Sequence, residues 1–371
     1  MAKHTYVWQT SVWPKLVWKA EPLFGPLGGA RRSQGRLLGQ AENIGLKSQA
    51  EILIEEAFTT AAIEGEKLDR DRIRSSVARR LGLPTAGLPP TDRGVDGLVE
   101  VLIDATTNHH RPLSPKRLKG WHAALFPTGY SAMRKIAVGK WRRAPVPMRV
   151  VSGPLGKERI HYEAPPAHRL EKEMTVLLRW WNSSSTQEMD GLVRAGLAHF
   201  WFVSIHPFED GNGRIARAIT DMALAQDEGL DLRLYSMSAQ IVEERDDYYK
   251  VLERNQKGNG DVTDWLVWFL RCLERSIRRA EVQVNVALQK ARFWRIHSET
   301  TLNERQRKVV NRLLDVGPGK FEGGLTNRKY VALTKVSRET AKRDIADLVD
   351  KCILARNPGG GRNASYDVVW P

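Results

Sequence analysis

Apolar residues recur at intervals of three and four in many stretches of this chain, which predicts a mainly α-helical protein. The segment from Leu192 to Ile205 is apolar on nearly every side and indicates a helix buried in the core. A second helix is predicted to start near Arg214, after a glycine-rich loop. Further predicted helices cover 44–65, 97–107, 114–125, 264–277 and the segment that holds Tyr248 and Gln256.

The pattern changes to strand-like alternation between about residues 145 and 165. Val150, Ile160 and Tyr162 lie on either side of the turn-forming segment 152–156, which predicts a β-hairpin. The edge of an exposed hairpin can pair with an extended segment of another protein. An ordinary structural hairpin is the simpler alternative.

The N-terminal 40 residues contain Trp8, Trp13 and Trp18 at five-residue spacing, followed by several glycines. No single helix face collects these tryptophans, so we expect an irregular or short β segment whose rings pack on the main body. Residues 66–112 begin with a charged stretch and become rich in proline and glycine around 83–95, which favours a loop leading into the predicted helix 97–107.

The C-terminal segment 300–371 has the pattern of a separate small domain. The predicted elements are helices over 326–334 and 338–349 and strands over 353–356 and 366–369, the two strands flanking Gly359-Gly360-Gly361. This order resembles a winged helix-turn-helix in which the helix with Arg338, Lys342 and Arg343 recognises DNA. Such modules also bind proteins or pair two copies of a chain, so a homodimer is a further expectation.

Composition adds charge to this picture. The formal net charge of +15 and the pI near 9.9 imply attraction to nucleotides or nucleic acid, or general surface basicity. The two cysteines are far apart and support neither a disulfide framework nor a zinc site. No signal-peptide pattern and no stretch of about twenty apolar residues occurs, so we expect a cytoplasmic protein without a membrane span. The expected regions are 1–112, 113–290 and 300–371.

The segment from His206 to Arg217 gathers the side chains of a phosphate site between the two central helices. Gly211-Asn212-Gly213 allows backbone N–H groups to turn toward an anion at a helix N-terminus. Arg214 and Arg217 lie three residues apart on one helical face, and guanidinium groups bind phosphate oxygens bidentately. The segment therefore predicts binding of phosphate groups.

Two further side chains add chemistry to this segment. Asp210 places a carboxylate beside the phosphates, which suits Mg²⁺ held by one carboxylate and phosphate oxygens. His206 can accept a proton near neutral pH and could activate a hydroxyl nucleophile. Taken singly, His206 is more simply a core histidine and the glycines a turn. Together at this spacing, these residues favour nucleotidyl or phosphoryl transfer.

The same segment matches the motif H-P-F-x-D/E-G-N-G-R-x-x-R at every specified position, and the chain thereby resembles the Fic family. The resemblance implies a Fic-type helical core that transfers AMP from ATP to a Ser, Thr or Tyr hydroxyl of a target protein, or of itself, and releases pyrophosphate. It also implies that the hairpin at about 145–165 is a flap along which the protein substrate docks.

The resemblance assigns a role to each motif residue. The implied roles are general base for His206, Mg²⁺ ligand for Asp210, anion hole for Gly211, Asn212 and Gly213, and contacts to the β- and γ-phosphates for Arg214 and Arg217. Tyr249, Leu252 and Gln256 would line the adenine pocket, although core packing explains the apolar members equally well.

A second short motif lies at the end of the predicted helix 44–65. Thr60-Ala61-Ala62-Ile63-Glu64-Gly65 puts a carboxylate on the last helical turn, where the helix dipole disfavours negative charge unless a cation offsets it. Solvent exposure is the simplest interpretation of such a glutamate. The segment also resembles the motif S/T-x-x-x-E-G/N of Fic proteins with an N-terminal inhibitory helix. That resemblance implies that Glu64, oriented by Thr60, pairs with Arg217 at the γ-phosphate position.

Two classes of function follow. In the first, the chain is an autoinhibited protein adenylyltransferase that uses ATP and Mg²⁺. In the second, it is a DNA-binding regulator whose Fic core senses nucleotides. The presence of His206 favours the first class, because sensing requires no general base.

Overall fold

The computed structural model describes residues 6–153, 157–183, 189–358 and 364–371. They divide into two units, residues 1–280 and 281–371, with the boundary inside one long helix. The helices are α1 (Glu21–Leu38), α2 (Leu46–Ile63), α3 (Arg70–Arg80), α4 (Arg93–Thr107), α5 (Pro115–Leu125), α6 (Leu170–Ser183), α7 (Gly191–Ile205), α8 (Asn212–Glu228), α9 (Met237–Glu243), α10 (Arg245–Gln256), α11 (Thr263–Ile296), α12 (Glu304–Val316), α13 (Asn327–Thr334) and α14 (Arg338–Asp350).

The strands are short and form antiparallel pairs. They are β1 (Tyr130–Ser131) with β2 (Arg134–Lys135), β3 (Arg149–Ser152) with β4 (Arg159–Glu163), and β5 (Leu354–Arg356) with β6 (Tyr366–Val368). The predicted hairpin is thus present as β3–β4, with a register shift between Val150 and Val151. Part of its connecting turn, residues 154–156, lies outside the described residues.

Helices α7 and α8 form the centre of the first unit. Every residue of α7 except Val203 is buried, as its apolar sequence predicts. The Asp190 carboxylate caps its N-terminus by accepting from Leu192 N at 2.9 Å and Val193 N at 3.3 Å. Helix α2 packs on α8 and on α9, which brings its C-terminal end to the loop between α7 and α8.

The N-terminal segment departs from the prediction. Residues 21–38, expected to be irregular or β, form helix α1 despite four glycines and an internal Pro26. Tertiary contacts outweigh the low helix propensity. Gly29 packs against the Glu274 carboxylate so closely that a Cβ would collide with it, and Arg31 pairs with Asp190 at 2.8 Å. The tryptophans do pack on the main body: Trp8 Nε1 donates to the carbonyl of Glu163 at 2.7 Å.

The second unit has its own apolar core. Its members come from the end of α11 and from α12, α13, α14, β5 and β6, and include Phe293, Val309, Leu314, Tyr330, Ile345, Leu348, Leu354 and Val368. The two predicted helices and two predicted strands of this segment are all present. The triglycine at 359–361 lies outside the described residues.

Across the part of the chain that the structure describes, no helix has the length and apolarity needed to cross a membrane.

Candidate active site

The loop between α7 and α8 is held by two residues with left-handed backbone. His206 ends α7 with φ of 50°, and Gly211 precedes α8 with φ of 77°. A positive φ costs a non-glycine residue free energy, so the conformation of His206 requires support from its surroundings. Gly211 accepts its φ readily, and a Cβ there would also collide with the Phe126 ring.

Asn212 fastens the loop from inside. Its side-chain oxygen accepts from Phe208 N at 2.9 Å, and its amide nitrogen donates to the Phe208 carbonyl at 3.0 Å. Phe208 is fully buried and stacks on His122 with ring centroids 4.1 Å apart. Phe208 is therefore a core residue, and the loop is anchored through both a side chain and the backbone.

Arg142 holds the other side of the same loop. Its backbone N donates to the Pro207 carbonyl at 2.9 Å, and its guanidinium donates to the carbonyls of His206 at 2.8 Å, Ile205 at 3.4 Å and Pro165. Burial lowers the pKa of Arg142 to about 10. One buried cation thus satisfies the carbonyls at the end of α7, where the helix dipole also favours it.

The imidazole of His206 is partly buried in this frame. Its Nδ1 lies 3.3 Å from the Val203 carbonyl, which leaves Nε2 as the nitrogen available to accept a proton. Burial, helped by the charge of Arg142, lowers the pKa of His206 to about 4. The ring is therefore neutral at pH 7, the protonation state that a general base requires.

Arg217 projects from α8 into the interior and meets the end of α2. Its Nη2 donates to Glu64 Oε1 at 2.7 Å and to the Thr60 carbonyl at 2.9 Å, and its Nε donates to Thr60 Oγ1 at 2.7 Å. Burial alone would lower the pKa of Arg217, but the charge of Glu64 outweighs it and the pKa is raised. The contact between Glu64, Thr60 and Arg217 expected from the sequence is present.

The end of α2 has the geometry of a Schellman motif. Gly65 adopts φ of 82°, Gly65 N donates to the Ala62 carbonyl at 3.0 Å, and Glu66 N donates to the Ala61 carbonyl at 3.0 Å. This turn directs Glu64 toward the N-terminus of α8, where its carboxylate lies so close to Gly213 that a Cβ there would collide with it. A negative charge is unfavourable at the end of α2 but favourable at the start of α8.

The turn also presents a second carboxylate. Glu66 Oε1 lies 2.9 Å from Arg214 Nη1, so both arginines of the motif are paired with residues that follow α2. Burial raises the pKa of Glu66 despite the charge of Arg214. Arg214 also lies over the Phe126 ring at 4.9 Å.

Asp210 is partly buried and faces the short β1–β2 hairpin. One carboxylate oxygen accepts from the Ser131 hydroxyl, and the other accepts from Gly211 N at 2.5 Å. Within residues 6–153, 157–183, 189–358 and 364–371, no group of three or more His, Cys, Asp and Glu side chains is arranged to hold a metal ion. The role of Asp210 as a Mg²⁺ ligand stays a prediction.

The residues expected to line an adenine pocket lie in different environments. Tyr249 is 41% exposed, and its hydroxyl lies 3.4 Å from the Ile63 carbonyl, close to the Glu64 contact. Leu252 and Gln256 are buried, and Gln256 Nε2 donates to Ser204 Oγ at 3.3 Å. The structure places only Tyr249 on the surface near the site, and the adenine-binding role stays a prediction for all three.

Two family models match separate segments of this chain. The model of the Fic/DOC family matches residues 112–224, which include α5, the β3–β4 hairpin, α7 and the loop leading into α8. The chain carries a Fic domain. Residues 6–83, which end shortly after α3, match a domain of unknown function, DUF4172, so the Fic domain and the segment holding Glu64 belong to different family models.

Relatives of the Fic domain match over a limited length. The protein adenylyltransferase Fic of Nematostella vectensis is 35% identical over 114 residues, which are 30% of this chain and 25% of that protein. The protein adenylyltransferase fic-1 of Caenorhabditis elegans is 31% identical over 108 residues, 29% of this chain and 20% of that protein. The match thus spans about a quarter or less of each relative.

Solved structures share the fold over more of the chain. A Fic family protein from Desulfovibrio desulfuricans G20 superimposes with a TM-score of 0.52 at 19% identity, over 93% of this chain and 96% of that one. Residues 134–508 of Fic-1 from C. elegans give a TM-score of 0.50 at 19% identity, over 72% of this chain and 76% of that one. These likenesses show the fold.

Three residues that support the Fic site were not identified from the sequence. Arg142, Ser131 and Glu66 contact the motif from positions distant in the chain. Glu66 had one local signal, because a left-handed glycine between two glutamates turns both toward the same side. Arg142 and Ser131 had no local signal in the sequence, since their contacts with the motif form only in the tertiary structure.

Proposed function

We propose that this protein is an autoinhibited protein adenylyltransferase that transfers AMP from ATP to a protein hydroxyl. The observation that carries the proposal is the arrangement of a neutral His206 on the same loop as an anion site at the N-terminus of α8. Support comes from the names of its relatives, which are protein adenylyltransferases.

In the proposed reaction, each residue of the site has a separate role. His206 takes the proton of a Ser, Thr or Tyr hydroxyl, whose oxygen attacks the α-phosphorus. A new oxygen–phosphorus bond forms, the bond to the β-phosphate breaks, and pyrophosphate leaves. The backbone of Gly211, Asn212 and Gly213 and the two motif arginines bind the charged phosphates. Asp210 would hold Mg²⁺, which when bound neutralises phosphate charge.

The contacts made after α2 support autoinhibition. The Glu64 carboxylate stands where a phosphate would meet Arg217 and the N-terminus of α8, and Glu66 neutralises Arg214. A carboxylate in that position withholds the arginine and repels the incoming phosphate, so ATP would bind with its α-phosphate misaligned. The resting enzyme is therefore expected to be slow.

Labelling with ATP that carries a radioactive α-phosphate tests both parts of the proposal. Glu64→Gly should raise incorporation into the protein itself by more than about tenfold, because Arg217 is released. Adding His206→Ala to that variant should remove the gain, since loss of a general base typically costs about 10²–10⁴-fold. Label from the γ-phosphate should not be incorporated. Equal incorporation by wild type and Glu64→Gly would refute autoinhibition, and full activity of the double variant would refute the role of His206.

The β3–β4 hairpin is the proposed docking site for the protein substrate. His161 of β4 lies 2.6 Å from Glu253 of α10, so this strand contacts a helix of the same unit. Strand β3 presents an exposed Val151, and its outer edge can accept an extended peptide as an added strand. The resemblance to Fic proteins implies that a substrate segment docked along this hairpin presents its hydroxyl to the active site.

The second unit supports a further candidate function, DNA binding by a winged helix-turn-helix. A groove of about 500 Å³ lies at the N-termini of α13 and α14, next to β6. Arg328, Arg338 and Lys342 line it, against a single acidic residue, Glu339. Helix N-termini and basic side chains together suit the phosphate backbone of a nucleic acid.

Fluorescence anisotropy with a short DNA duplex, measured over a salt titration, tests this candidate. Arg338→Ala and Lys342→Ala should each weaken binding and reduce the salt slope by about one unit. Lys308→Ala, an exposed cation of α12 outside the groove, is the matched control and should leave the slope unchanged. Absence of binding at low salt would exclude DNA, and sedimentation of the same sample would reveal pairing of two copies instead.

A further inference from the structure

The excess positive charge of this protein is concentrated in one segment. Between Asp104 and Glu158 the sequence contains eleven lysines and arginines and no acidic residue. The formal net charge of the whole chain is +15, so this segment supplies most of the excess of positive over negative charge. General surface basicity would spread that excess along the sequence. A local concentration is typical of a surface that meets an acidic partner.

Part of this charge serves the fold, and part is left over. Arg117 pairs with Asp104 at 2.8 Å, and Arg142 donates to the carbonyl of His206 at 2.8 Å. Lys135 and Lys140 are exposed, and within the part of the chain that the structure describes neither makes an ion pair. Their charges are therefore available to a partner.

The two faces of the β1–β2 hairpin lie in different environments. In its register Ser131 lies opposite Arg134, and Tyr130 lies opposite Lys135. The first pair faces the catalytic loop, where Ser131 donates to the Asp210 carboxylate and Arg134 Nη2 donates to a backbone carbonyl at 3.3 Å. Successive side chains of a strand point to opposite faces, so the second pair lies on the outer face of the hairpin.

Apolar side chains accompany the unpaired lysine of this hairpin. Tyr130 is 49% exposed, and Met133, in the turn between the strands, is 96% exposed. An aromatic ring and an unbranched thioether both pack against apolar side chains, and methionine adapts to partners of different shape. Aromatic residues and methionine are also enriched where proteins bind proteins. A phosphate backbone offers Met133 no aliphatic partner, so the surface suits an acidic peptide better than a nucleic acid.

We propose that the outer surface of the β1–β2 hairpin, formed by Tyr130, Met133 and Lys135, binds an acidic, extended segment of the protein substrate. The opposite face of this hairpin is bonded to the loop that carries Asp210, so a bound segment is held next to the active site. Its hydroxyls then have a high local concentration there, and acidic proteins are selected. The proposal rests on the proposed function, because it names the class of protein that receives AMP.

Fluorescence anisotropy with labelled, dephosphorylated casein, an acidic and extended protein, tests this surface. In the Glu64→Gly variant, Lys135→Glu should weaken binding about fivefold, because attraction becomes repulsion. Lys308→Glu makes the same change of charge at an exposed position of α12 and should leave the affinity within about twofold. Met133→Ser should weaken binding about threefold, whereas Phe24→Ser, which also removes an exposed apolar side chain, should not.

Transfer of AMP connects this surface to the reaction. The Glu64→Gly variant should label casein in preference to histone, which is a basic protein. Lys135→Glu should raise KM for casein about fivefold and leave kcat unchanged, because the docking contact is the same in the ground state and the transition state. Affinity for ATP should stay within about twofold, which also shows that the variant is folded.

The outcomes separate the two claims. If the Glu64→Gly variant labels neither itself nor an added protein, the proposed AMP transfer fails, while casein binding weakened by Lys135→Glu would still support the surface. If labelling occurs and Lys135→Glu changes casein binding and KM no more than Lys308→Glu does, the surface is overturned. A single-stranded oligonucleotide that binds more tightly than casein, and loses more affinity in Lys135→Glu, would assign the surface to nucleic acid and also overturn the proposal.

Discussion

At the scale of single residues, the site depends on two groups whose pKa values are set by burial and by their neighbours. His206 is neutral because burial and Arg142 disfavour its protonated form. Arg217 stays charged although it is 3% exposed, because Glu64 balances it. A histidine with the ordinary pKa of about 6.5 would be partly protonated near pH 7, so burial extends the neutral form of His206 to a lower pH than residue identity alone would give.

The pKa of His206 predicts a pH profile. In the Glu64→Gly variant, kcat/KM for AMP transfer should be nearly constant between pH 6 and 8, because the base is already deprotonated. Its acidic limb should lie near pH 4, where the imidazole gains its proton. Initial rates in a constant-ionic-strength buffer series provide the measurement. A limb centred near pH 6.5, the ordinary value for histidine, would contradict a buried base.

At the scale of elements, the site is a loop clamped between two helices and closed by the end of a third. The predicted helices over 44–65 and 114–125 are confirmed as α2 and α5, and the Ser114 hydroxyl caps α5 by accepting from Arg117 N at 3.2 Å. The charged stretch after residue 66, for which no helix was predicted, contains α3. That helix is highly charged and buries few apolar residues, among them Ile73 and Val77.

The clamp on the loop predicts the effect of removing Arg142. Arg142→Ala should lower kcat of the Glu64→Gly variant roughly 10²-fold, because a displaced His206 no longer meets the substrate hydroxyl. The affinity for ATP should stay within about threefold, since the phosphate contacts lie on α8. Arg143→Ala changes the exposed neighbouring arginine and is the matched control. Equal losses in kcat for Arg142→Ala and Arg143→Ala would show that Arg142 does not position His206.

At the scale of the whole molecule, three buried neutral histidines connect stability to pH. Burial lowers the pKa of His122 and His206 to about 4 and that of His199 to about 3. The unfolded chain protonates these rings near pH 6.5, so below that pH it binds more protons than the folded chain. The stability they contribute is complete above pH 6.5 and is lost as the pH falls toward 4. The raised pKa values of Glu66 and Asp221 act in the opposite direction.

Urea unfolding at a series of pH values tests this balance. The free energy of unfolding should fall between pH 6.5 and 4.5, because three histidines outweigh two carboxyls. His199→Gln removes one titrating ring and should reduce the slope by about 1.4 kcal/mol per pH unit. Stability that is constant or rises as the pH falls through this window would show that these rings are not buried in the neutral form.

How much the sequence determines by itself depends on the range of the interactions involved. Helix periodicity, the caps, the glycines with positive φ and the motif from His206 to Arg217 are local patterns, so the central helices and the main site residues can be predicted from them. The expected regions 1–112, 113–290 and 300–371 rest on the same kind of pattern and stay predictions.

The tertiary structure alone decided what surrounds those residues. Helix α1 forms against its own propensities because of contacts with residues far along the chain, and Arg142 reaches His206 across 64 positions. The pairing of Glu66 with Arg214 and the hydrogen bonds of His199 with Thr220 and Tyr248 likewise join residues from separate parts of the chain. Burial and long-range hydrogen bonding depend on the whole fold, and no local pattern encodes which distant side chain will supply them.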